Sequence, residues 1–157
     1  MQAPSLGARG QGWVWLQFPL MAAVLAAGFV PPDWPAAVEP AFDAAGTVLA
    51  LAGGAAGLWA ARALGRSLTP YPRPGERGEL VERGPYRLVR HPVYAAGLVF
   101  FAGYSLWARP LALVLTAVLA VVWALKAAVE ERFLRSRYPS YAAYAARVPN
   151  RLVPGVY

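Results

Sequence analysis

The chain has 157 residues, about one domain's worth, and its 58% hydrophobic and 15% charged composition excludes an intrinsically disordered chain and argues against a soluble globular domain. It carries a net charge of +7, which together with the hydrophobicity favours a membrane surface over nucleic acid as its partner. The sequence has no cysteine and a single histidine, His91, so disulfides, a thiol nucleophile and a thiolate or multi-histidine metal centre are excluded.

Four runs without a charged residue follow one another, at positions 10–32, 44–61, 92–108 and 110–125. A membrane-spanning helix needs roughly 17–25 residues to cross about 30 Å of hydrocarbon. The first two runs are long enough, and the last two are marginal but are flanked by arginine or lysine side chains that can reach the interface. We therefore predict an all-α polytopic membrane protein, a single membrane domain over residues 1–157 with spans at about 13–31, 43–63, 92–108 and 110–128, a cytoplasmic loop at 65–91 and a cytoplasmic tail at 129–157.

Two other interpretations compete with this arrangement. Residues 10–32 could be a secretory signal peptide, since Arg9 precedes the run, although the run is long and lacks a clear cleavage site. Residues 92–125 could form a buried hairpin of a soluble protein, but helices that are apolar on every face have no side for solvent. Within the second run, Gly53 and Gly57 are spaced for close helix packing, or they reflect ordinary composition.

Charge placement predicts the orientation. The loop at 65–91 and the tail from residue 126 are rich in arginine, whereas the connection after the first run carries Asp33, Glu39 and Asp43 without a basic residue. The positive-inside rule then places loop and tail in the cytoplasm. With four spans, the protein is a multi-pass protein of the cell membrane with both termini cytoplasmic, and Arg109 is the one basic residue outside.

The loop contains Pro70, Pro72 and Pro74, which exclude a regular helix. We expect an extended cytoplasmic segment there, which is a candidate lid. The aromatic, basic tail is expected to lie along the membrane surface or to fold back on this loop.

Polar residues gather at the cytoplasmic ends of the third and fourth runs. A short turn at Arg109 joins these helices, so they should be antiparallel neighbours. His91, Tyr94, Lys126 and Glu130 are then predicted to lie close together. Plainer interpretations exist, because His91 before a proline suits a helix N-terminus and the Lys126–Glu130 spacing suits a solvated ion pair.

Several other functional patterns are missing from the sequence. No glycine-rich dinucleotide motif follows a strand, and neither a P-loop nor a Gly-x-Ser-x-Gly elbow occurs. The arginines follow membrane sidedness instead of forming a separate nucleic-acid-binding domain.

Three motifs in order resemble the isoprenylcysteine carboxyl methyltransferase and phospholipid methyltransferase superfamily of integral membrane enzymes. Residues 80–94, LVERGPYRLVRHPVY, are similar to the family's L-V-x-x-G-x-Y-x-x-x-R-H-P-x-Y. Residues 130–134, EERFL, are similar to E-E-x-x-L. Residues 138–154, with YPSYAAY, Val148-Pro149 and Pro154, are similar to the closing Y-x-x-Y…V-P…P.

The resemblance implies S-adenosylmethionine as the cofactor and methyl donor, a lipid or lipophilic small molecule as the methyl acceptor, and no metal. It implies roles in catalysis for Lys126, Glu130 and Arg90. Backbone N–H groups at the start of the third span, with Arg90, are candidates for holding the donor's carboxylate. The residues implied in cofactor binding are Leu80, Val81, Tyr86, Arg90, His91, Pro92, Val93, Tyr94, Glu130 and Glu131.

Two positions depart from the family pattern. Lys126 stands where the isoprenylcysteine enzymes carry an arginine near the acceptor. A compact ammonium group therefore replaces a planar guanidinium group there. Gly97 comes one residue later than the family's usual glycine. Two other functions compete with a methyltransferase, namely a membrane reductase like the related sterol reductases and a non-catalytic membrane interaction protein.

Overall fold

The structure is a computed structural model that describes residues 3–153 and residue 155, so Pro154 of the closing motif lies outside the described residues. Within them the chain is all-helical and contains no strand, which confirms the predicted class. Two short 3-10 turns, Gly65–Ser67 and Gly84–Arg87, lie in the long loop before the third helix. The α-helices are α1 (Gln11–Ala27), α2 (Glu39–Leu64), α3 (Pro92–Trp107), α4 (Pro110–Arg137) and α5 (Tyr141–Arg147).

Two helical segments of the described residues, Glu39–Ser67 and Pro110–Arg137, are long and apolar enough to cross a membrane. Helices α1 and α3 are apolar but shorter. These lengths are compatible with a membrane protein, and the number of spans stays a prediction.

Local sequence explains where the helices begin and end. Pro92 and Pro110 occupy the first positions of α3 and α4, where a missing N–H costs nothing. Helix α1 ends at Ala27, short of the expected residue 31, and is capped by Gly28. Helix α4 continues well beyond the last charge-free residue, so it carries Lys126 and both following glutamates on one rigid element.

The helices pack in the spatial order α2, α3, α4, α1. The main core lies between α1, α3 and α4 and includes Trp13, Phe101, Leu119 and Trp123. Two hydroxyls inside the α3–α4 hairpin bond to each other, since Ser105 Oγ and Thr116 Oγ1 lie 2.9 Å apart. This satisfies two buried polar groups in an otherwise apolar interface.

Glycines allow α2 and α3 to approach closely. A Cβ atom placed on Gly53 would lie 2.8 Å from the carbonyl oxygen of Ala96, and one on Gly103 would lie 2.7 Å from the carbonyl oxygen of Gly46. One on Gly57 would lie 3.7 Å from the Ala96 Cβ, an ordinary contact. The close crossing therefore depends on Gly46, Gly53 and Gly103, and the Gly53–Gly57 spacing contributes through its first member.

The turn at Arg109 lies beside the connection between α1 and α2. Arg109 Nη1 is 2.5 Å from Asp33 Oδ1, and the Tyr104 hydroxyl donates a hydrogen bond to the Leu25 carbonyl over 2.6 Å. The one basic residue expected outside the cytoplasm thus has an acidic partner at the same end of the bundle.

Replacing Gly53 by alanine should push α2 away from α3, because the new methyl group meets backbone atoms that cannot rotate aside. We expect a loss of about 1–3 kcal/mol in unfolding free energy, typical of overpacking, measured as a lower melting temperature in detergent. Gly54→Ala is the matched control, since its Cβ would lie 3.9 Å from the nearest side-chain atom. Equal melting temperatures for the two variants would contradict the close crossing.

Candidate active site

A cleft that is open at its mouth lies where the end of α2, the long loop, the start of α3 and the end of α4 meet. Of the residues singled out from the sequence, Pro92, Glu131 and Lys126 are not among those that line it. The predicted site residues that do line the cleft are Leu80, Val81, Tyr86, Arg90, His91, Val93, Tyr94 and Glu130.

The entrance of α3 and the end of α4 meet at this cleft. The Tyr94 hydroxyl donates a hydrogen bond to Glu130 Oε2 over 2.7 Å. His91 Nδ1 lies 3.9 Å from the same oxygen, and the His91 ring stacks on Tyr94 with centroids 5.6 Å apart. The structure therefore brings Glu130 to His91 and Tyr94, which lie more than 30 positions earlier in the sequence.

The neighbouring glutamate has a different environment. Glu131 has a side chain only 3% exposed, and its Oε1 lies 2.7 Å from Arg90 Nε and 3.2 Å from Arg151 Nε. Arg90 Nη1 also donates to the carbonyl oxygens of Val148 and Pro149, both over 2.6 Å. Glu131 and Arg90 thus tie the tail to the start of α3.

Arg90 and the backbone N–H groups at the start of α3 were expected to hold the carboxylate of the methyl donor, but in the structure they contact the tail. Nε and Nη1 of Arg90 already have partners within the protein. The backbone N–H groups of Arg90 and His91 donate to the carbonyls of Asn150 and Arg151 over 3.0 and 2.9 Å. These donors hold the tail in place. The tail folds back on the long loop, which is one of the two arrangements expected from the sequence.

Lys126 lies behind the cleft, on the far side of Tyr94. Its side chain is 1% exposed, and its Nζ lies 5.2 Å from the centre of the Tyr94 ring. The same Nζ donates to Gln17 Oε1 over 2.5 Å. Gln17 in α1 was not predicted from the sequence. Its polar side chain inside a charge-free run is the signal that could have identified it.

Tyrosines form much of the cleft wall. Burial raises the pKa of the Tyr86, Tyr141 and Tyr144 phenols far above the usual value, so these side chains are neutral at physiological pH. The Tyr144 hydroxyl donates to the Tyr86 carbonyl over 2.8 Å, and Tyr138 donates to the Gly78 carbonyl over 2.7 Å. The wall is consequently a set of fixed aromatic faces.

Two buried polar atoms at the cleft have no hydrogen-bond partner within the part of the chain that the structure describes. Tyr141 Oη is one, and His91 Nε2 is the other, although it lies 3.4 Å from Glu131 Oε1. Buried polar groups are normally paired. Unpaired ones in a cleft wall indicate a place where a polar ligand group can bind.

The proline-rich segment covers one side of the cleft, which Tyr71 and Pro72 line. The amino-terminal residues hold this segment from outside. Arg9 lies over the Tyr71 ring at 4.6 Å, and its carbonyl accepts from the Arg73 N–H over 3.3 Å. Gly10 packs against Pro72 so tightly that a Cβ atom there would lie 2.6 Å from the proline ring.

A family model described as phospholipid methyltransferase matches residues 42–141. That range covers well over half of the chain, from the fourth residue of α2 to the first residue of α5.

The cobalt-zinc-cadmium resistance protein CzcN of Cupriavidus metallidurans is 45% identical to the chain over 74 residues. The matched part is 45% of this chain and 33% of that relative, so the chain spans about a third of the relative's length. No group of three or more histidine, cysteine or acidic side chains that could hold a metal ion occurs among the described residues.

Replacing Arg90 by alanine should leave Glu131 buried with one cationic partner fewer and weaken the attachment of the tail, which Arg151 still holds in part. Breaking a buried ion pair costs about 3–5 kcal/mol, and we expect the lower end because Arg151 still contacts Glu131. The measurements are the melting temperature and the rate of tryptic cleavage at Arg147 and Arg151. Arg87→Ala is the control, since Arg87 is an exposed arginine of the same segment. Unchanged protection of the tail in Arg90→Ala would contradict the assignment.

Proposed function

The chain belongs to the phospholipid methyltransferase family, and from this premise we propose that it transfers a methyl group from S-adenosylmethionine to a lipid or lipophilic acceptor. The family places it among membrane methyltransferases. The observation that carries the finer proposal is the convergence of His91, Tyr94 and Glu130 on one cleft. Each of them belongs to a motif whose resemblance to the family implies a role in binding the donor.

The side chains that line the cleft suit this donor chemically. Glu130, whose side chain is 25% exposed, offers a carboxylate to the donor's ammonium or ribose hydroxyls. Tyr86 and Tyr94 offer aromatic faces to a purine or a cation. His91 Nε2 and Tyr141 Oη are available for polar contacts.

When bound, S-adenosylmethionine supplies an electrophilic methyl group on a sulfonium sulfur. Transfer is an in-line displacement, for which correct alignment alone contributes about 7–11 kcal/mol. The chain's own part is therefore to hold groups still. Tyr94 fixes Glu130 by a hydrogen bond, and the bridge from Arg90 to Glu131 fixes the entrance of α3 beside it. We assign Arg90 and Glu131 to positioning, since their contacts lie within the protein.

We further propose that all four long helices span the membrane and that the cleft lies on the cytoplasmic side. Helix α1 has 17 residues and α3 has 16, lengths of roughly 25 Å at about 1.5 Å per residue. Such short spans require local thinning of the bilayer. The amino-terminal segment and the tail lie at the same end of the bundle, where Arg132 donates to the Ala3 carbonyl. Arg109, in the turn between α3 and α4, pairs with Asp33, in the connection between α1 and α2, at the opposite end of the bundle.

The function is tested by incubating the purified protein, in vesicles made from extracted lipids, with donor labelled in its methyl group. We expect label in the lipid fraction, and identification of the labelled species names the acceptor. Binding of the donor without any label in lipid would contradict a lipid acceptor. Absence of donor binding would contradict the cofactor.

Replacing Glu130 by glutamine should weaken donor binding while preserving the local fold. The amide oxygen can still accept from Tyr94, but the negative charge is lost. A hydrogen bond to a charged group is worth about 1.5–3 kcal/mol, so we expect the donor Kd to rise by about tenfold or more, measured by calorimetry. Glu39→Gln is the control, because Glu39 is exposed at the far end of α2. Equal Kd values would remove Glu130 from the donor site.

A further inference from the structure

Helix α1 contributes one buried polar side chain to the bundle, at a position that the family match does not reach. Gln17 is 6% exposed and lies in the run at 10–32, outside the matched residues 42–141. A polar side chain buried in an apolar helix costs free energy unless it is hydrogen-bonded. Its position inside the interface with α4 therefore requires partners.

Those partners are two donors on α4. Gln17 Oε1 accepts from Lys126 Nζ over 2.5 Å and from Trp123 Nε1 over 3.2 Å. One carbonyl oxygen thus uses both of its acceptor positions. Because Lys126 and Trp123 are themselves 1% and 5% exposed, the three side chains form a buried cluster between α1 and α4.

This cluster continues to the cleft through Tyr94. The Tyr94 ring stacks on Trp123 with centroids 5.6 Å apart and lies 5.2 Å from Lys126 Nζ. Its hydroxyl donates to Glu130. Gln17 is therefore connected to the cleft carboxylate through two intermediate side chains, although it does not line the cleft.

We propose that Gln17 is a positioning residue that holds the Lys126 ammonium behind Tyr94 and thereby fixes the Tyr94–Glu130 pair. A buried ammonium needs a polar partner. Without the Gln17 oxygen, Lys126 turns away from Tyr94, and the ring loses the charge and the packing that orient it. Helix α1 is then part of the active site and not only a membrane anchor. This inference rests on the proposed methyl transfer.

The composition of the chain permits a direct test that does not depend on activity, because Lys126 is its single lysine. Labelling with a membrane-permeant amine reagent, followed by mass spectrometry, reports Lys126 alone among the side-chain amines. We expect protection in the wild type, reaction in Gln17→Met, and protection in Gln17→Glu, whose carboxylate accepts the same bonds. Val24→Ala, a change at a fully buried apolar residue of the same helix, should stay protected.

A kinetic test then separates positioning from general loss of structure. For Gln17→Met we expect kcat for methyl transfer to fall by about ten- to a hundredfold, as misplacement of reacting groups does. The donor Kd should rise by less than in Glu130→Gln, since Gln17 does not line the cleft and the charge of Glu130 is kept. Gln17→Glu should recover most of the rate, and Val24→Ala should retain it per folded molecule.

The outcomes are distinguishable. Protection of Lys126 in Gln17→Met, or equal exposure in Val24→Ala, overturns the positioning role whatever the activity. An unchanged kcat in Gln17→Met overturns it as well. If the wild type transfers no methyl group, the proposed function fails, whereas selective labelling of Gln17→Met still supports the link from Gln17 to Lys126.

Discussion

The candidate site depends on the ion pairs that the buried Glu131 carboxylate forms with Arg90 and Arg151. An isolated carboxylate at this depth would be costly, so the fold has to bring cations to it. Arg90 comes from the segment before α3 and Arg151 from the tail. The ion pairs of Glu131 therefore join α4, the segment before α3 and the tail. Arg90 Nη1 adds hydrogen bonds to the backbone of the tail. The position of His91, the next residue, follows from this bridge.

Two adjacent glutamates consequently have different surroundings. Successive residues of a helix point about 100° apart, so Glu130 and Glu131 face different sides of α4, and His91 is the one neighbour described above as near both, with Nδ1 3.9 Å from Glu130 Oε2 and Nε2 3.4 Å from Glu131 Oε1. Glu131 points into the tail contacts, with a side chain 3% exposed, while Glu130 points into the cleft, with a side chain 25% exposed. A paired acidic motif at the end of a long apolar helix thus provides both an internal brace and a carboxylate open to a ligand.

The apolar part of the bundle is held together differently. In a membrane, association of helices depends on close packing and on hydrogen bonds between them, because lipid is as apolar as the side chains. The α2–α3 pair uses glycines at its crossing, and the α1–α4 pair uses the Gln17 carbonyl as an acceptor for two buried donors. The second solution places a polar connection directly behind the cleft.

The sequence by itself determined the all-helical class and the approximate extent of the helices. Charge-free runs and prolines at helix starts are local signals, and the three motifs indicated the family and eight of the residues that line the cleft. It did not show that Arg90 binds the tail, that Gly46 and Gly103 make the α2–α3 crossing, or that Gln17 contacts Lys126, 109 positions away. Those contacts depend on which helix packs against which, and on the rotation of each helix about its axis. An apolar helix with no polar face carries no local pattern that specifies its rotation or its neighbour, so only the tertiary structure decided them.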